Sequence, residues 1–226
     1  MTTKFAYIGL IFIWGTTPLA IKWSTEGSGY LFGIASRMSL GMLVSFVIVA
    51  FIGRRMPLNK RALQTYFASG LGIFTAMGST YWGVQYIPSG WLSVVFGLSP
   101  IITGALAVVW LNEDALSPPK LTGIFCAIIG LAIIFGHGAE LGPNFLHDIL
   151  AVLFGTSCHS VSAVAVKRLD AGVGGFAITA GGLSVAVPLL AIAWYLVDGR
   201  LPATIPTRAT ISIIYLGVVA SAVGFA

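Results

Sequence analysis

His159, inside the run "GTSCHS", is a titratable side chain near the centre of a long apolar stretch. An imidazole at such a place can hold a solute, relay a proton near neutral pH, or bond a neighbouring helix as a neutral ring. Cys158 beside it makes no nucleophilic pair, because adjacent helix positions point about 100° apart and no third group orients them. Trp14 and Thr17 share a face of the first apolar stretch, where Pro18 withholds a backbone N–H and frees a carbonyl about one turn earlier. That suits a kinked, cavity-lining helix, although Trp14 can equally be a packed or lipid-facing aromatic. Gly72, Thr75, Ser79, Trp82 and Tyr86 recur at steps of three or four, one small, polar and aromatic helix face. It would offer a solute apolar walls and a few hydrogen-bonding groups, Ser79 and Trp82 among them, or else pack another helix. Ser93, Gly97, Pro100 and Gly104 repeat the spacing with small residues, which favours close helix packing around a structural Pro100.

The charged residues near these stretches read as structural. Arg37 lies about six residues, roughly 9 Å, inside its stretch, so its side chain can snorkel to the interface or form an ion pair ahead of touching a solute. Glu113 and Asp114 precede the fifth apolar stretch and are expected to salt-bridge to the basic loop "GRRMPLNKR", favouring one state of the protein. No Asp or Glu stands in the middle of any apolar stretch. Proton coupling would therefore run through His159, through helices beyond this chain, or not at all.

These residues need helices in a membrane to position them. Hydrophobic residues make up 57% of the 226 and charged residues 8%, where a soluble domain carries about a quarter charged. A helix crosses the hydrocarbon core with about 20 apolar residues. Eight segments qualify, near 5–23, 31–52, 67–87, 91–111, 121–136, 149–166, 175–197 and, incompletely, 211–226. The net charge of +5 sits in short clusters between them and marks topology, not nucleic acid. With the N-terminus inside, Lys4, Arg54, Arg55, Lys60, Arg61, Lys120, Lys167 and Arg168 face the cytoplasm and Lys22, Arg200 and Arg208 face out, which favours that orientation. Cys126 and Cys158 lie in apolar runs and supply neither a disulfide framework nor metal-ligand spacing. No cofactor or metal site is indicated.

The first span ends "LAIK" and the sixth "VAVK"; the third holds "LGIFTA" and the eighth "LGVVAS". Both matches fall at the same offset, Lys22 to Lys167 and Leu71 to Leu216, so an internal repeat is expected. A unit of five spans crosses an odd number of times, and its second copy must be upside down, the plan of secondary transporters. The expected fold is an all-α polytopic bundle of two inverted five-helix repeats, residues 1–136 and an incomplete 137–226. By the same offset Ala226 matches Tyr81, so about eight of ten helices are present and about 55 further residues are expected beyond this chain.

"FIWGTTPLAIKW", "ASRMSLGMLV" with Arg37, and "YIPSGWLSVVFGLSPIITGALAVVWLNEDALSPPKLTGIFCAIIGLAIIF" resemble the EamA type of the drug/metabolite transporter superfamily. The last stretch carries a small-residue helix with central Pro100, a Leu-x-Glu of Leu111 and Glu113, then a Gly-rich span with Gly123 and Gly130. The resemblance implies a ten-helix inner-membrane carrier with cytoplasmic termini and a central cavity lined chiefly by helices one, three, four, six, eight and nine. It also implies Phe96 as a lining residue and export as the direction. One departure stands out: a Trp is common at the position matching Trp14 in the sixth span, and His159 stands there instead.

The reading that follows is a secondary transporter of the inner or plasma membrane exporting a small metabolite such as an amino acid by alternating access. Trp14, Thr17, Ser79, Trp82, Phe96 and His159 would contact solute; Pro18, Arg37, Pro100 and Glu113 would be structural or gating. A structural or assembly protein is the alternative, and an intramembrane enzyme a weaker one, since no paired aspartates or Ser–His set lies at membrane depth. The partners are a solute and the bilayer; Gly-rich faces in spans four, five and seven would serve either the bundle or a homodimer.

Overall fold

The computed structural model describes residues 2–53, 56–113, 117–136 and 143–223. Asp114, Arg54 and Arg55 lie outside them. The helices run α1 (Thr2–Ser24), α2 (Tyr30–Phe51), α3 (Lys60–Val84), α4 (Ser89–Phe96), α5 (Ser99–Leu111), α6 (Pro118–Gly136), α7 (Phe145–Leu169), α8 (Gly175–Val197) and α9 (Thr207–Tyr215). A π-helical segment, Leu216–Val223, continues α9. Four stretches are long and apolar enough to cross a membrane: Tyr30–Phe51, Ser89–Leu111, Phe145–Leu169 and Gly175–Val197. Of the other expected spans, α1 and α3 are as long, at 23 and 25 residues, and α3 is rich in Gly, Ser and Thr. Pro118–Gly130 and Thr207–Ser221 are shorter apolar stretches.

Local chemistry sets the boundaries. The Asn59 side chain accepts the Ala62 N–H at 2.9 Å and starts α3. Asn112 and Asp170 close α5 and α7 at φ 53° and 39°, the left-handed region that short polar side chains tolerate. The expected continuous fourth span is instead two helices, with Gly97 and Leu98 between them. Pro100 explains the break: it has no N–H for the Phe96 carbonyl, yet it is well placed in the first turn of a new helix.

Small residues decide which helices touch. α3 packs along α7 and α8, and glycines bring the backbones together. A Cβ on Gly83 would sit 2.6 Å from the Asp148 carbonyl oxygen, and one on Gly70 2.6 Å from that of Gly182. Gly123 and Gly130 of α6 meet nothing within 4 Å, so they play no part in packing among the described residues.

The contacts also give each helix its direction. Gly83 lies against Asp148 and Gly72 against Ser162, so α3 and α7 are antiparallel. Lys22 and Ser24 at the end of α1 reach Ile87, just past the end of α3, and Tyr81 in its last turn, so α1 and α3 are parallel. Phe32 stacks edge-on against Trp194 at 6.2 Å, which sets α2 antiparallel to α8. Arg208 reaches Glu26, and Tyr215 reaches Thr16, so α9 runs against α1. Each of α1, α2 and α3 therefore runs opposite to its counterpart one repeat later, α7, α8 and α9. The packing obeys the same exchange: α3 on α7 mirrors α9 on α1, and α2 on α8 maps onto itself. This is an all-helical bundle with inverted internal symmetry.

Candidate functional site

Where the two sets of helices meet, a cavity of about 300 Å³ opens, at the small end of ligand sites. α1 supplies Ile13, Trp14, Thr17 and Ile21; α2 supplies Arg37; α3 supplies Ala76, Met77 and Thr80. The broken fourth span contributes Phe96, Ser99 and Pro100, α7 contributes Gly155, Thr156 and His159, and the π segment contributes Ala220.

Prolines open the helices that line it. Pro18 leaves the Trp14 carbonyl, and Pro100 the Phe96 carbonyl, without the usual helical N–H. Both freed carbonyls belong to residues of the cavity wall. Thr17 and Thr156 donate their hydroxyls to the Ile13 and Val152 carbonyls of their own helices at 2.6 and 2.9 Å. Their oxygens keep lone pairs, so these groups are best suited to accept hydrogen bonds.

Six of the residues singled out from sequence converge here: Trp14, Thr17, Arg37, Phe96, Pro100 and His159. Ser79 and Trp82 lie outside the cavity. The face 72, 75, 79, 82, 86 divides: Gly72 packs on Ser162 and Ser79 lies near Gly155 of α7, while Trp82 and Tyr86 are exposed and stack edge-on at 6.0 Å. The lining face of α3 is displaced around the helix to Ala76, Met77 and Thr80. Thr80 and Thr156 were missed. Thr156 had a readable signal, lying three residues before His159 in the polar run.

Arg37 corrects the sequence reading most. It does not snorkel, since the side chain is 2% exposed, and among the described residues it pairs with no acid. Its Nε and Nη2 donate to Ser221 Oγ at 3.3 and 3.2 Å, and its Nη1 donates to Tyr81 Oη at 3.0 Å. The guanidinium also lies 5.6 Å from the centre of the Tyr81 ring.

Glu113 does form a salt bridge, but its partner is Lys167, 2.7 Å away in the last turn of α7. At the opposite end of the bundle Arg208 donates twice to Glu26 Oε2, at 3.0 and 2.6 Å, and sits 5.3 Å over the Trp23 ring. Among the described residues, each end thus has one ion pair joining the first set of helices to the second. Both Glu113 and Lys167 are well exposed, so Glu113→Gln is expected to change unfolding stability by less than about 1 kcal/mol. Thermal unfolding in detergent checks this; a larger loss would mean the pair is sheltered from water.

An inverted helical bundle with four stretches long and apolar enough to cross a membrane has the build of a multi-pass membrane protein. Residues 2–136, well over half of the chain, match the EamA-like transporter family, and the chain belongs to that family. Relatives carry transporter names. "Uncharacterized transporter YoaV" of Bacillus subtilis is 29% identical over 161 residues, 70% of this chain and 52% of that protein. A Streptantibioticus cattleyicolor protein named "Probable terminal-alkyne amino-acid exporter" is 25% identical over 97% of this chain and 73% of its own length. The chain thus spans about half the length of the first of these relatives. One protein crystal structure superposes with a TM-score of 0.75 over 98% of this chain and 75% of the other, at 19% identity, and bears on the fold alone.

Proposed function

We propose that the protein is a secondary transporter that exports a small metabolite such as an amino acid across the cell membrane, its N-terminus cytoplasmic. Residues 1–136 form the first repeat and 137–226 belong to the second. The two rock against each other so that the cavity opens to one side at a time. One observation carries this reading: the cavity lies between the inverted sets of helices, with walls from α1 to α5 and from α7 and the π segment. The breaks at Pro18 and Pro100 give the lining helices places to bend. The pairs Glu113–Lys167 and Glu26–Arg208 would each tie one end while the other is open. The name of the Streptantibioticus cattleyicolor relative supports the substrate class and direction.

The test is efflux from liposomes containing the purified protein and loaded with labelled amino acids. Release faster than from protein-free liposomes, saturating with internal concentration, is the expected result. No accelerated release of any amino acid discards the substrate class, and none across a broad metabolite set discards transport.

A further inference from the structure

Arg37 is a fixed positive charge in the middle of an apolar bundle, and its partners are neutral. A guanidinium has five N–H donors. Three are used, two on Ser221 and one on Tyr81, leaving one on each terminal nitrogen. No acidic side chain pairs with Arg37 among the described residues, and none lines the cavity that Arg37 faces. A buried charge compensated only by two hydroxyls and the face of one aromatic ring is unfavourable, and it is relieved by a counter-ion. Beyond Arg37, the polar side chains of the cavity wall are hydroxyls, the Trp14 indole and His159.

We propose that Arg37 is the carboxylate-binding point of the cavity, and that the solute is an anionic or zwitterionic acid with a small apolar body. The planar fork fits a carboxylate with two parallel hydrogen bonds. Tyr81 and Ser221 hold the fork from α3 and the π segment, so it is oriented before the solute arrives. Trp14, Met77 and Phe96 supply apolar and aromatic wall for the body of the solute. A simple amine has no counter-charge here and meets a like charge, so it is rejected. This inference rests on the reading of the cavity as a solute site.

The experiment measures binding, not flux, so that the two readings can fail separately. Purified protein in detergent is titrated with matched acids and amides: propanoate and propanamide, 3-phenylpropanoate and 3-phenylpropanamide, L-phenylalanine and L-phenylalaninamide. 2-Phenylethylamine is added as the simple cation. Thermal stabilisation is the readout. The wild type is expected to bind the best acid about tenfold or more tightly than its amide, the size of a charged hydrogen bond. Arg37→Gln is expected to bring that ratio close to one, and Arg37→Lys to keep part of it. Equal binding of acid and amide by the wild type, retention of the preference in Arg37→Gln, or no acid bound at all overturns the proposal. The wild-type comparison decides even if Arg37→Gln does not fold. Acid binding with no flux would sink the transport reading and leave this one standing; flux of amides and amines would do the reverse.

Discussion

Gly155→Leu is expected to give a protein that unfolds far below the wild-type temperature and shows no flux. Even a Cβ at residue 155 would lie 2.6 Å from Thr80 Oγ1, 2.7 Å from the Ala76 carbonyl oxygen and 3.1 Å from Ser79 Oγ. The hydroxyls can rotate away, but the carbonyl belongs to the α3 backbone and cannot. Overpacking of this kind is destabilising by about 1–3 kcal/mol or more, and a leucine adds three more carbons. Gly155 also lines the cavity, so whatever folds has its solute space occupied. Gly155→Ala combined with Thr80→Ala removes the closest hydroxyl clash and leaves the Ala76 carbonyl and the Ser79 hydroxyl, so the pair should be less damaging than the sum of its singles. Circular-dichroism melts of all four proteins check this. Wild-type stability of Gly155→Leu would mean that α3 and α7 do not approach as closely as described.

The second large effect is on transport at unchanged abundance. Trp14→Ala and His159→Ala are each expected to lower efflux by an order of magnitude or more while membrane levels stay within about twofold of wild type. Both residues line the cavity from helices that exchange under the inverted symmetry, α1 and α7. Trp14 is partly exposed and His159 half-buried, so truncating either should disturb packing less than loss of a fully buried aromatic, worth about 3–5 kcal/mol. Removing them widens the cavity and loses the surfaces that would orient the solute. Efflux and immunoblot quantification from the same membranes separate the outcomes. Unchanged efflux for both variants would make these side chains wall without function.

How much of this could be read beforehand depended on the kind of residue. Spans, loops and the repeat were legible because apolar length and offset need no tertiary information. Trp14, Thr17, Phe96 and His159, read from sequence as solute contacts, line the cavity, and so does Pro100, read as structural; each was marked by an unusual residue type or by the family pattern. The face of α3 did not. In a soluble helix the polar side points out, but a membrane helix is apolar toward lipid and neighbours alike, so a polar stripe does not reveal which way it faces. Gly72 and Ser79 accordingly went to α7, and Trp82 to the surface. Arg37 was misjudged for a related reason. Its depth gave it the reach to snorkel, whereas its hydroxyl partners come from residues 44 and 184 positions away, invisible to any local rule. The break between α4 and α5 was hidden because one apolar run covers both.

The ion pairs at opposite ends have a consequence for how the protein responds to salt. Raising ionic strength to about 1 M shortens the Debye length to about 3 Å, which weakens exposed pairs. Glu113–Lys167 and Glu26–Arg208 are both exposed to a substantial degree, so both weaken together. Both pairs are closed in this structure, so salt loosens the two ends of the bundle together. If the two sets of helices rock as proposed, high salt weakens the form with both ends tied and eases the opening of either end by a similar amount. Twin clasps of this kind leave the choice of end to the rest of the molecule, while the ionic composition of the surroundings sets how readily either gives way.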